Sequence, residues 1–116
     1  MATTAQDIFS AFGFSLNRSN GKWIARPFGK GPASAERSSQ SLRQLIESIV
    51  PPPPIYGGPE TLEEWACECV KASHSRAINL VKLAKAAFAA YGLKYDDRDI
   101  ERFAKACRMM MIRKRG

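Results

Sequence analysis

Residues 51–59 read Pro-Pro-Pro-Pro-Ile-Tyr-Gly-Gly-Pro and divide the chain into two parts. Proline has no amide hydrogen and holds φ near the extended value, so neither a helix nor a central strand crosses this segment. The sequence therefore predicts three successive parts. They are a small basic unit of helix and hairpin over 1–50, a Pro- and Gly-rich linker over 51–59, and a helical unit with a basic C-terminal tail over 60–116.

The part before the prolines combines helical and extended patterns. Ile8, Phe9 and Phe12 have helical spacing behind Thr4, a residue that can cap a helix start, and predict a short helix over about 5–12. Alternation over 14–16, a polar turn over 17–21 and a β-prone run over 22–26 predict a β-hairpin. A second helix should end at the prolines, since its apolar residues recur at i, i+3, i+4 and i+7. These residues are Leu42, Leu45, Ile46 and Ile49.

The part after the prolines is almost all helical in pattern. Thr61 and Glu64 form a capping box, which predicts a helix start. Residues 77–91 are apolar nearly all round, as expected of a helix at the centre of a bundle, and a last helix should occupy about 96–111. The predicted fold class is mainly α, with α+β as the alternative. It comprises an N-terminal α-ββ-α unit with one β-hairpin, a Pro-rich linker and a C-terminal three-helix bundle unit.

The charge balance points to an anionic partner. The chain has 116 residues, with 18 Lys plus Arg against 11 Asp plus Glu, a net charge of +7. Such a positive field speeds association with polyanions. The length excludes a large multi-domain enzyme. Three cysteines within helical segments are not the pattern of a secreted, disulfide-bonded protein. With no signal-peptide pattern and no spanning segment, we expect an intracellular protein of cytoplasm or nucleus, or a virion-associated one, without membrane insertion.

The hairpin region is the first candidate nucleic-acid site. It interleaves basic residues with aromatic rings and contains no acidic residue, so one surface would neutralise phosphates while its rings stack bases. The residues are Arg18, Lys22, Trp23, Arg26, Phe28 and Lys30. The alternative is that Trp23 and Phe28 pack against the helix over 42–49 and the charges are only a solvated face.

The end of the chain is the second candidate site, because no acidic residue follows Glu101. Its basic residues are Lys105, Arg108, Arg113, Lys114 and Arg115. A basic helix end also matches the helix macrodipole, which gives an ordinary structural reason for the pattern. In a helix-turn-helix arrangement of the last two helices, Arg98, Arg102 and Lys105 would face the major groove.

The remaining motifs favour no catalytic chemistry. Pro53, Pro54 and Tyr56 have the PPxY form that WW domains read in a polyproline conformation, with a rigid linker as the alternative. Cys67 and Cys69 lie too far apart around a helix to share a metal ion. We find no phosphate loop, nucleophile elbow or metalloprotease helix, and therefore expect no enzyme activity, no cofactor and no metal.

The sequence thus predicts a non-enzymatic nucleic-acid-binding protein, with RNA or single-stranded DNA preferred over duplex DNA. A virus-encoded nucleocapsid-like or regulatory protein would fit this description. The alternative is a protein-interaction or assembly module, such as a capsid, matrix or inhibitor protein, which acts through its apolar helices and Pro-rich segment. In that case Trp65 and Met109–Met111 would lie in an interface, and the chain would form a homo-oligomer.

Overall fold

The computed structural model describes residues 4–28, 36–74 and 78–115, with side chains as far as residue 112. The chain is mainly helical and also contains an antiparallel sheet. Its helices are α1 (Ala5–Ala11), α2 (Leu42–Ile49), α3 (Leu62–Ala72), α4 (Leu80–Ala90) and α5 (Asp97–Arg115). Its strands are β1 (Phe14–Ser19), β2 (Lys22–Pro27) and β3 (Arg37–Ser39).

Polar side chains define the helix starts. At α1, the Thr4 hydroxyl accepts from the Asp7 amide while the Asp7 carboxylate accepts from the Thr4 amide. These bonds, led by the one from the Thr4 backbone, hold the pKa of Asp7 below its usual value. Asp96 and Asp99 form the same reciprocal pair at α5, and the Thr61 hydroxyl accepts a backbone amide at α3. Each pair satisfies amides that have no partner within the helix.

The sheet has three strands in the order β1-β2-β3, rather than the single hairpin that the sequence predicts. β2 lies in the middle, with Arg18 opposite Trp23 on one side and Ser39 opposite Trp23 on the other. The third strand is short and polar and falls at the end of a Ser-rich stretch, so it has no hydrophobic alternation to reveal it. It forms because the edge of β2 offers unpaired backbone groups for hydrogen bonding.

One hydrophobic core extends across both sides of the proline segment. Helix α1 packs on α4, and α3 and α4 both pack on α5. Among the side chains buried completely are Phe9, Phe12 and Leu45 from the first half and Trp65, Leu83 and Phe103 from the second. The two halves of the sequence are therefore in direct contact.

The segment over 51–59 packs against this core. Pro53 is fully buried, and Pro54–Tyr56 forms a short 3-10 helix. The Trp65 Nε1–H donates to the Pro51 carbonyl at 2.8 Å, and the Tyr91 hydroxyl donates to the Val50 carbonyl at 2.6 Å. Burial raises the pKa of Tyr91 to about 12, so this hydroxyl keeps its proton at neutral pH. These bonds hold the proline segment against α3 and α4.

We expect Gly58→Ala to destabilise the fold, because a methyl group at this position would overlap the carbonyl oxygen of Pro52. The obstacle is backbone rather than a flexible side chain, and overpacking of this kind costs about 1–3 kcal/mol. Urea denaturation followed by circular dichroism measures the loss. The exposed neighbour Glu60→Ala is the control and should change the free energy of unfolding by less than about 0.5 kcal/mol. Equal stabilities of the two variants would show that the turn relaxes freely.

Within the described residues, none of the helices combines the length and the apolar character needed to cross a membrane.

Candidate nucleic-acid interface

The two faces of the hairpin carry different candidate residues. Directly opposed residues in an antiparallel pair share a face, and successive residues alternate between faces. Arg18 and Trp23 are opposed and lie on the face that also carries the buried Phe14 and Ala25. Lys22 lies on the other face. The structure therefore separates the ring from the lysine, whereas the sequence predicts one combined surface.

Arg26 also lies away from Trp23, opposite Ser15, and it forms an ion pair. Its Nε is 3.4 Å from a carboxylate oxygen of Glu36, at an exposed position. Phe28 follows β2 and is 47% exposed, while Lys30 lies outside the described residues. Glu36, ten positions further along the chain, therefore partly neutralises the charge of Arg26.

Arg18 and Trp23 form a cation–π pair beside a groove. The Arg18 guanidinium carbon lies 5.1 Å from the centre of the Trp23 ring, which also packs against the hydrophobic core. An exposed pair of this type is worth about 0.5–1 kcal/mol. The groove has a volume of about 500 Å³ and lies between the start of α1 and the hairpin. Its lining residues are Thr4, Ala5, Gln6, Leu16, Asn17, Arg18 and Trp23.

The groove brings together residues that the sequence does not connect. Gln6 and Asn17 line it together with Arg18 and Trp23. In the sequence, Gln6 belongs to the first turn of a helix and Asn17 to a polar turn cluster, where both look like ordinary solvent-facing residues. No local signal could have identified them, because the groove exists only where α1 packs against β1.

Helix α5 separates an apolar face from a basic one. Its buried side chains are Ile100, Phe103, Ala104 and Cys107. At about 100° per residue, Arg98 and Lys105 are on the opposite side and Arg108 is at the flank, and all three are exposed. Arg102 is exposed as well, but its Nη2 lies 2.7 and 3.0 Å from the two carboxylate oxygens of Glu63 on α3. This bond to Glu63 raises the pKa of Arg102 above its usual value.

The first turn of α5 is unsuited to reading a DNA groove. Asp97 and Asp99 lie in this turn beside the capping residue Asp96, and their carboxylates would repel phosphates. Arg102, one of the three residues that a helix-turn-helix arrangement would use, is already engaged by Glu63. The structure therefore gives no support to insertion of the start of α5 into a major groove.

The second half of α5 combines unpaired cations with exposed apolar side chains. In the part of the chain that the structure describes, neither Lys105 nor Arg108 has a carboxylate partner. Met109 and Ile112, one turn further on, are 51% and 69% exposed. The side chains of Arg113, Lys114 and Arg115 lie outside the description, although their backbone continues the helix. Within the described residues, the cations of this half of α5 are therefore not neutralised by carboxylates.

We expect Glu63→Gln to strengthen nucleic-acid binding, since it releases Arg102 and raises the net charge by one. The logarithm of affinity falls linearly with the logarithm of salt concentration, and each additional phosphate contact steepens this slope by about 0.7–0.9. Fluorescence anisotropy of labelled RNA across a salt series measures this slope. Glu68→Gln is the matched control, because Glu68 pairs with Lys71 on another part of α3. An unchanged slope for Glu63→Gln would place Arg102 outside the binding surface.

The cysteines and the histidine have structural surroundings. Burial raises the pKa of Cys69 and raises that of Cys107 to about 12, which keeps both thiols protonated and poorly nucleophilic. The His74 backbone amide donates to the Phe12 carbonyl at 2.9 Å, and its ring meets the Phe14 ring edge-on at 5.1 Å. Among the described residues, no group of three or more potential ligands is placed to hold a metal ion.

The PPxY segment differs in conformation from the extended peptides that WW domains read, and it is only partly buried. Pro53 is buried and Pro54 begins a 3-10 helix, whereas WW domains read an extended polyproline helix. Tyr56 is 58% exposed and stacks on Tyr91 with ring centres 5.9 Å apart. Recognition of this motif would require the segment to leave the core.

The residues expected at an assembly interface divide between core and surface. Trp65 is fully buried, so the prediction that it lies in an interface is wrong, and its side chain belongs to the core. Its ring makes edge-on contacts with Phe88 and Phe103. Met110 and Met111 are partly buried against the core, and Met109 is exposed.

Comparison with known proteins adds no relative: no family model, no curated protein and no solved structure matches this chain.

Proposed function

We propose that this protein binds nucleic acid without catalysing a reaction, and that the second half of α5 contacts the phosphates. The observation that carries the proposal is the pair Lys105 and Arg108, exposed and without a carboxylate partner in the described part of the chain. They lie on a segment with no acidic residue after Glu101, in a chain of net charge +7. Cations in this arrangement exchange the counterions around a phosphate backbone for direct contacts.

We favour RNA or single-stranded DNA over duplex DNA. The acidic first turn of α5 opposes deep entry into a major groove, so α5 is better suited to lie along a backbone than to read base edges. Contacts from lysine and arginine to phosphates position a protein without reading sequence. A nucleocapsid-like or regulatory role is compatible with such binding.

A second candidate function is an assembly module, which the exposed apolar side chains favour. Ile55 and Tyr56 are adjacent and are 73% and 58% exposed, while Met109 and Ile112, one helical turn apart on α5, are 51% and 69% exposed. Exposed apolar side chains at these levels are common at contacts between chains when they form contiguous patches. Light scattering at two protein concentrations tests this role, since a homo-oligomer would show a mass above 12.9 kDa.

The proposed function is tested by fluorescence anisotropy of labelled single-stranded RNA, single-stranded DNA and duplex DNA. We expect binding that weakens by about tenfold or more between about 50 and about 200 mM salt. Tighter binding to the single strands would support the preference stated above. Absence of binding to all three probes at the lower salt concentration would overturn the proposal and favour the assembly module.

A further inference from the structure

We propose that the groove between α1 and the hairpin holds one unpaired nucleobase of a single strand, stacked on the Trp23 indole. Arg18 would then contact the phosphate of the same nucleotide. This inference rests on the proposed function and extends it, because it adds a base-binding site to a phosphate-binding surface.

The indole is a supported platform. One part of the Trp23 side chain packs against the core, and the rest is exposed next to Arg18. Its backbone is paired on both sides, with Arg18 on β1 and Ser39 on β3. A ring fixed in this way loses little conformational freedom when another ring stacks on it.

Arg18 can give up its position over the ring. It is exposed and has no carboxylate partner within residues 4–28, 36–74 and 78–112, so only the cation–π contact holds it there. Stacking of a base on an aromatic side chain is stronger than an exposed cation–π pair. A base can therefore take the place of the guanidinium, and the guanidinium can pair with the adjoining phosphate.

The polar lining suits the edge of a base. Gln6 lines the groove, and its side-chain amide makes no hydrogen bond within the described residues. An amide presents both donors and an acceptor, as the Watson–Crick edge of a base does. Asp7, the acidic residue of α1, is engaged by Thr4, and the groove of about 500 Å³ is within the range of small-ligand sites.

Tryptophan fluorescence tests this site directly, because Trp65 is fully buried and Trp23 is the indole that a base can reach. The probes are a short oligouridylate and an abasic oligomer of equal length, which carries the same phosphates and no bases. We expect the oligouridylate to quench the fluorescence and to bind about tenfold more tightly than the abasic oligomer. Trp23→Phe should remove the quenching, which would assign the signal to Trp23.

Variants separate the groove from the phosphate surface. Trp23→Leu keeps an apolar side chain against the core and should lower oligouridylate affinity about tenfold, with abasic binding unchanged. Tyr95→Leu is the matched control, since Tyr95 is a 39% exposed ring outside the groove, and its affinity should equal that of the original protein. Circular dichroism verifies that each variant folds.

The two proposals fail in different ways. Equal binding of both oligomers with unquenched fluorescence would overturn base stacking and leave phosphate binding intact. Binding of neither oligomer at low salt would overturn both. A loss of affinity for Tyr95→Leu but not for Trp23→Leu would place the base elsewhere on the surface and reject the groove.

Discussion

Trp65→Ala is expected to lower the free energy of unfolding by about 3–5 kcal/mol, the range for removing a large aromatic side chain from a core. Trp65 is 0% exposed and makes edge-on contacts with Phe88 and Phe103 at 5.3 and 5.6 Å. Its Nε1–H also donates a hydrogen bond to the Pro51 carbonyl. The substitution therefore opens a cavity and at the same time removes this bond to the proline segment. Domains of this size are stable by only about 5–15 kcal/mol, so the variant should be close to unfolding.

Urea denaturation followed by circular dichroism measures this loss, since the signal does not depend on the deleted indole. Trp65→Phe is the matched control, because phenylalanine keeps an aromatic ring against Phe88 and Phe103 but has no N–H for Pro51. It should lose less stability than the alanine variant. A Trp65→Ala protein within about 1 kcal/mol of the original would contradict a core centred on this side chain.

Lys105→Gln combined with Arg108→Gln should weaken RNA binding by about tenfold at low salt and reduce the salt slope by about 1.5, as expected for two lost phosphate contacts. Both side chains are exposed on α5, and the core contacts of this helix come from other residues. The variant should therefore keep its fold, and its effect should be confined to binding. Anisotropy of labelled RNA across a salt series gives both quantities.

Lys82→Gln combined with Lys85→Gln removes the same charge from α4 at the same spacing. Both lysines are exposed and lie on a different helix from the proposed contact surface. This control should lose little affinity. If both double variants weaken binding equally, the effect comes from net charge, and α5 is not a defined contact surface.

Local interactions explain why the helices can be predicted. The spacing of Leu42, Leu45, Ile46 and Ile49 corresponds to α2 as observed. Thr4, Thr61 and Asp96 stand at the starts of α1, α3 and α5, because a side-chain oxygen satisfies amides only a few residues away. Strand β3 could not be predicted, since Arg37–Ser39 is polar and pairs only with an edge that β2 supplies in the folded chain.

The helical segments, the hairpin and the two basic regions could be predicted from the sequence alone, because residue type, charge and spacing are local properties. Only the tertiary structure decided which charges remain unpaired. Glu63 meets Arg102 across 39 positions of the chain, while Lys105 and Arg108 meet no such partner among the described residues. The tertiary structure also places Arg18 and Trp23 beside Gln6 in one groove and Lys22 on the opposite face. Strand register and helix packing decide this, because they depend on contacts between distant segments.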